Sequence, residues 1–265
     1  MTVALRYALK IAYDGTKFSG SQRQPKVRTV DGECIFVLKK IRAIEGPKES
    51  RYQSASRTDR GVSAAGNVIT FDTAMAKNAL IGSFNSAARD VWAWGCAAVP
   101  EDFNARRARQ RWYRYHLPGG LDIDRARAAA ELFVGRHDFK WFTRARTNTV
   151  KTLDSLKLTL AGDFLYLDIR GQSFLWGLVR RIAACVESYC VGEIALEQIE
   201  AVLAGERGDF GLARPEPLIL MDVDYGLEFE RVSSGKVREE IATRLHISAL
   251  ESVRWTTLAD RLGLD

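Results

Sequence analysis

Residues 54–67, SASRTDRGVSAAGN, place the carboxylate of Asp59 between the guanidinium groups of Arg57 and Arg60, in a run of small and polar residues. An aspartate with an ordinary pKa of about 3.9 is ionised at neutral pH. A neighbouring guanidinium keeps it ionised and fixes its orientation. Arg57 and Asp59 are two apart, so on extended backbone they project to the same side. Such a carboxylate can act as a nucleophile, as a general base, or as half of a salt bridge. Gly61 permits a tight turn and the close approach of a ligand, and Ser63, Ala64, Ala65 and Gly66 keep the surroundings open. The triplet alone does not choose among these roles, because most Arg-x-Asp triplets are surface ion pairs worth up to about 1 kcal/mol.

Other segments supply company for that carboxylate. GSQRQPKVRT (20–29) sets Arg23, Lys26 and Arg28 among polar residues after a glycine, a composition suited to phosphate contacts. FNARRARQRWYRYHL (103–117) interleaves Arg106, Arg107, Arg109, Arg111 and Arg114 with Trp112, Tyr113 and Tyr115. Guanidinium groups beside aromatic faces are what unstacked nucleic-acid bases need. On a strand, Tyr113 and Tyr115 share one face and Trp112 and Arg114 the other; one face must pack, so at most one set meets a substrate. Arg180 and Arg181 stand inside the apolar run FLWGLVRRI, where an arginine must snorkel to solvent or pair with a carboxylate. Asp59 is a candidate for that partner.

The chain has 265 residues with 46% hydrophobic and 27% charged composition, that of a soluble globular protein with a sizeable core. Net charge is +14 over residues 1–186 and −8 over 187–265, a basic body that points to a polyanionic partner. No run approaches the roughly 20 apolar residues that span a bilayer, and a cytosolic protein without membrane partners is expected. The four cysteines read as buried free thiols, and the three histidines are dispersed, so neither a zinc site nor a histidine triad has ligands to draw on. An aspartyl hydrolase or phosphotransferase would need further carboxylates beside Asp59, where Arg60 and Gly61 follow instead. A non-catalytic RNA-binding module remains the alternative; it would leave Asp59 dispensable.

Strands are expected at 7–13, 67–73, 91–99, 111–117 and 218–226, and a hairpin at 153–170 turning through Ala161, Gly162 and Asp163. Helices are expected from Val30 with Thr29 as N-cap, from Asp124 to Val134, over Ser173–Gly192, and up to Gly205. This order implies an α+β fold of two similar α/β halves, 1–105 and 106–226, with a mainly antiparallel sheet, helices packed on it, and a helical extension over 227–265.

The segments KIAYDGTKFSGSQRQ, SRTDRGVSAAGNVITFDT, VPEDFNARRARQRWYRYHL, FVGRHDFKWF and FLWGLVRRI, in this order, resemble the tRNA pseudouridine synthase A family from about residue 7 to 226. RTDRGVSA is closer to its archaeal and eukaryotic branches, since the bacterial branch usually has alanine at Arg60 and histidine at Ser63. The resemblance implies a basic central cleft and the isomerisation of uridine to pseudouridine in tRNA, in the anticodon stem-loop, on a flipped nucleotide. It implies a homodimer that uses no cofactor. Asp59 matches the catalytic aspartate, acting on the ribose either at C1′ as nucleophile or at C2′ as base. Arg57 matches the arginine that holds the flipped nucleotide, Tyr113 the active-site tyrosine, and Arg180 the basic residue paired with the aspartate. Arg23 and Arg106 fall in motifs that line the RNA cleft, and Lys26, Arg28, Arg60 and Arg114 join them as expected RNA contacts. Ser21, where an aromatic residue is frequent, and Arg181, where asparagine is common, depart from the pattern.

Overall fold

The computed structural model describes residues 4–232 and 234–262; positions 1–3, 233 and 263–265, at the outer ends of the expected first strand and in the extension, lie outside them. The elements in chain order are β1 (Leu5–Tyr13), α1 (Val30–Lys40), β2 (Gln53–Ser54), β3 (Ser63–Thr73), α2 (Lys77–Ala87), β4 (Val91–Ala98), β5 (Gln110–Pro118) and α3 (Ile123–Glu131). They continue with β6 (Gly135–Asp138), β7 (Val150–Ala161), β8 (Phe164–Gly171), α4 (Leu178–Cys190), α5 (Leu196–Leu203), β9 (Leu218–Asp224), β10 (Glu230–Arg231) and α6 (Gly235–Leu262).

The described strands join one sheet in the order β10-β4-β1-β3-β9-β5-β8-β7-β6, with β2 also on β3. Every pairing is antiparallel except β3 with β9, whose parallel register is short: Ser63 opposite Ile219 and Ala64 opposite Leu220. The expected mixed fold with a mainly antiparallel sheet is therefore found. Helices α1 and α2 pack against β4 and each other, whereas α3 and α4 pack against each other and against β7 and β5. Helix α1 turns an apolar stripe inward: Val30, Cys34, Val37 and Leu38 are buried, and the Thr29 hydroxyl accepts from Gly32 N as the N-cap.

Several boundaries differ from the sequence reading for local reasons. Strand β3 starts at Ser63 rather than 67, because Ala64 already pairs with Tyr13 of β1. Helix α3 ends at Glu131, two single turns follow, and Gly135 opens the short strand β6, which the sequence reading did not foresee. Helix α4 begins at Leu178, not Ser173, because Gly177 sits at φ 74°. Ala161 pairs with Phe164, so the hairpin turns through Gly162 and Asp163 alone. Cys34, Cys96 and Cys185 are buried as expected, but Cys190 is half-buried at the end of α4.

Helix α6 has no buried residue and is held at its N-terminal part. Trp92 Nε1 donates to Glu240 (3.1 Å), Lys236 Nζ donates to the Ser86 carbonyl (2.9 Å), and Arg244 pairs with Asp14 (3.4 Å) and Asp90. No helix of the described residues is long and apolar enough to cross a membrane.

Candidate active site

The Asp59 segment joins β2 to β3 and is clamped along its length. Ser21 N donates to the Thr58 carbonyl (3.0 Å) and Thr58 N donates to Ser21 Oγ (2.8 Å). Thr58 Oγ1 meets the Tyr13 hydroxyl at 2.9 Å, and Asn67 Nδ2 donates to the Ser56 carbonyl (3.0 Å). Arg111 reaches across from β5, donating through Nε to Ser56 Oγ (2.8 Å) and through Nη2 to the Ala55 carbonyl (3.1 Å). Val62 N closes a turn on the Asp59 carbonyl (3.1 Å), with Gly61 at φ 86°, a conformation a side chain would strain. Asp59 thus stands on a fixed ledge.

Its carboxylate is held from the other half of the chain. Arg180 Nη1 donates to Asp59 Oδ2 at 3.0 Å, and Arg180 Nε donates to the Ala213 carbonyl at 2.7 Å, so both edges of the guanidinium are aimed. The pair is mostly screened from solvent, with side-chain exposure of 11% for Arg180 and 24% for Asp59. A charge-assisted bond in such a place is stronger than its surface counterpart. No hydrogen bond from the described residues reaches Asp59 Oδ1, which leaves that oxygen available.

Asp59 lines a cleft of about 710 Å³ together with Arg23, Arg57, Arg106, Tyr113, Trp176 and Arg180. Pockets that take small ligands run from roughly 300 to 1,000 Å³. Tyr113 is buried, with its ring edge-on to Phe174 (centroids 4.9 Å, 73°). Burial pushes its phenol up to about 12; Arg111 and a hydrogen bond with Ser56 oppose the shift, and the charge of Asp59 adds to it. The hydroxyl is a proton donor, not an anion, at neutral pH.

The residues expected at the site divide into two groups. The structure brings Asp59, Arg57, Tyr113, Arg180, Arg23 and Arg106 to one cleft. Arg57 is exposed, and the Asp59 carboxylate is held by Arg180, the partner that the resemblance implies. Lys26, Arg28, Arg60 and Arg114 do not line the cleft. Lys26 and Arg60 are exposed outside it. Arg28 lies over the Phe18 ring and pairs with Asp90 (2.7 Å) and Glu33 (3.2 Å). Arg114 is on the opposite face of β5, paired with Asp168 at 2.9 Å. Arg181 points away from its neighbour, to Asp209 at 2.6 Å.

Arg111, named from sequence only within its basic segment, and Asp31 are among the cleft residues to which the sequence reading gave no site role. Arg111 is 8% exposed and ties the Asp59 ledge to β5; its place on the tyrosine face of the alternating strand was the available clue. Asp31, in the first turn of α1, also lines the cleft and accepts from the Tyr52 hydroxyl at 2.9 Å. Burial raises its carboxyl above the ordinary value, against the Tyr52 bond and the charges of Arg23 and Arg57.

The chain is similar in sequence to known proteins. Residues 129–226 match the family model described as tRNA pseudouridine synthase. A protein of Thermococcus sibiricus named tRNA pseudouridine synthase A is 44% identical over 91% of this chain and 93% of its own length. Proteins of the same name from Pyrococcus furiosus (41%, over 96% of this chain and 97% of theirs) and Methanosarcina mazei (41%, over 84% and 86%) are similar to it as well. At this identity over nearly the whole length, the chain belongs to the tRNA pseudouridine synthase A family.

Proposed function

We propose that this chain isomerises uridine to pseudouridine in tRNA, in the anticodon stem-loop, with Asp59 acting on the ribose of a flipped nucleotide. The observation that supports this best is the state of the Asp59 carboxylate: Oδ2 is fixed by Arg180, Oδ1 is unengaged, and both face a cleft walled by Tyr113. In the reaction the C1′–N1 bond breaks, the uracil rotates, and a C1′–C5 bond forms; C5 loses a proton and N1 gains one. Substrate and product are isomers, so no oxidant or reductant enters the balance.

A uridine inside a stem must be extruded, at a cost of a few kcal/mol. Tyr113 and Phe174 offer aromatic surface to the extruded base, and Arg23, Arg57 and Arg106 offer cations to its phosphates. Asp59 then attacks C1′ or removes the C2′ proton, with Arg180 keeping the carboxylate aimed. The unionised Tyr113 hydroxyl is suited to give a proton back during re-joining.

We read residues 1–105 and 106–226 as two halves that meet at this cleft, with 227–265 as an extension outside it, and we place the protein in the cytoplasm with its tRNA. A homodimer is part of this reading, supported by the exposed apolar side chains of α6 between Leu245 and Leu262. Sedimentation should give twice the chain mass of 29.7 kDa; a monomer at micromolar concentration would remove the dimer.

The test of the activity is carbodiimide mapping of pseudouridine in total tRNA incubated with wild type and with Asp59→Ala. Wild type should modify anticodon-stem uridines and the variant none, while tRNA binding stays within a few-fold. Modification by the pure variant would overturn the role of Asp59, and none by wild type would favour a binding module.

A further inference from the structure

Trp176 is 47% exposed at the rim of the cleft. Exposure alone decides nothing, since Trp255 of α6 is 63% exposed. What separates Trp176 is how it is held. The Thr143 hydroxyl donates to the Trp176 carbonyl (3.1 Å) and accepts from Ala145 N (3.1 Å), tying the segment before α4 to the loop at 143–149. Gly177 follows at φ 74°, turning the chain sharply into α4 and leaving the indole outside the helix packing.

That loop brings cations to the ring. The Arg144 guanidinium lies 5.2 Å from the indole centroid, and Arg144 and Arg146 are both exposed. Neither makes an ion pair within 4 Å among the described residues, unlike Arg28 and Arg114, whose charges are taken up by carboxylates. An exposed indole with Arg144 over its ring and a second exposed guanidinium, Arg146, on the same loop, fixed to the wall of a basic cleft, has the makings of a base-stacking platform.

We propose that Trp176, with Arg144 and Arg146, forms a second subsite that stacks the nucleobase next to the reacting uridine and takes its flanking phosphates. The occupant is an unpaired RNA nucleotide of any base identity, because every base has a π-face. The subsite rests on the reading that the cleft receives a flipped uridine. Its effect is on binding: a neighbour held on the rim keeps the backbone open on one side while the uridine sits beside Asp59. Trp176 is in this sense a positioning residue for the target.

The experiment uses anticodon stem-loop RNAs with 2-aminopurine on either side of the target uridine, and three proteins: wild type, Trp176→Ala and Trp176→Phe. Binding to wild type should quench the 2-aminopurine on one side. Trp176→Ala should lose most of that quenching and raise KM by about tenfold, the loss of one stacked base, with kcat within about threefold. Trp176→Phe should keep most of both. As Trp176 is partly exposed, its variants should melt within about 2 °C of wild type. Wild-type KM and quenching in Trp176→Ala would overturn the platform while leaving the activity intact, and so would a fall in kcat with quenching retained. If wild type makes no pseudouridine, the activity fails instead, and the quenching comparison still decides the platform.

Discussion

The two faces of β5 are built from the same ingredients and end in opposite states. On one face Asp168 takes Trp112 Nε1 (2.7 Å) and Arg114 Nε (2.9 Å) on Oδ1 and Arg114 Nη2 (2.9 Å) on Oδ2. The Arg114 guanidinium is also stacked on Tyr166, at 4.4 Å from the centroid. On the other face Asp59 has Arg180 on one oxygen and a cleft before the other. Aspartate, arginine and aromatic rings are present in both places. The difference is occupancy: Asp168 accepts from protein donors on both oxygens, whereas Asp59 has a donor from the described residues on one oxygen only. A carboxylate is recognised as a reactive one by what it has left over, more than by which residues surround it.

That contrast can be broken at three points of decreasing size. The largest effect belongs to Asp59→Asn, which keeps the shape, cannot act as nucleophile or base, and should lower turnover by at least about 10³-fold in a pseudouridine release assay. Full activity in this variant would make the two faces equivalent. Next comes Tyr113→Phe, which should bind RNA within a few-fold but turn over about 10²-fold more slowly; an unchanged rate removes the proton-handling role. Burial raises the Tyr113 phenol to about 12, so the fold favours its protonated form. The stability this contributes is complete below the unfolded value of about 10 and drains as pH rises toward 12. Melting from pH 9 to 12 should therefore show Tyr113→Phe gaining on wild type. The smallest effect is that of Asp168→Asn: turnover within about threefold and a loss of about 1–2 kcal/mol of stability in urea unfolding, from the part-buried bonds to Arg114 and Trp112. A large loss of turnover there would mean that the two faces are coupled.

Much of this was legible in the chain itself. The alternation in RWYRYHL separated the two faces before any coordinates, and Asp59, Tyr113 and Arg180 converge as their motifs implied. What stayed hidden was the fate of the other cations. The Asp59 pair with Arg180, 121 residues away, follows from the motifs, while Arg57, two residues off, is exposed. Arg28 and Arg114 announced positive charge; that Asp90 and Asp168 consume it depends on strand register, which charge patterning does not encode. The apolar periodicity of α4 runs back through Phe174 and Leu175, and only the left-handed Gly177 stops it, freeing the segment that shapes the rim. Strand β6 lacks apolar alternation because it lies at the sheet edge, with only β7 beside it.

The seam between β3 and β9 has a consequence for how the protein is made. Lys10, near the start of the chain, is buried against Asp222 and donates to the Val223 carbonyl at 2.7 Å, 213 residues later. The strand that closes the middle of the sheet is thus synthesised after every other described strand but β10. At roughly 5–20 residues per second, a nascent chain carries Asp59 and Tyr113 for many seconds before β9 can dock. Pairings this distant in sequence also form slowly. A ribosome-bound fragment holds the Asp59 carboxylate without the complete cleft that it lines, since Leu218 of β9 belongs to that lining.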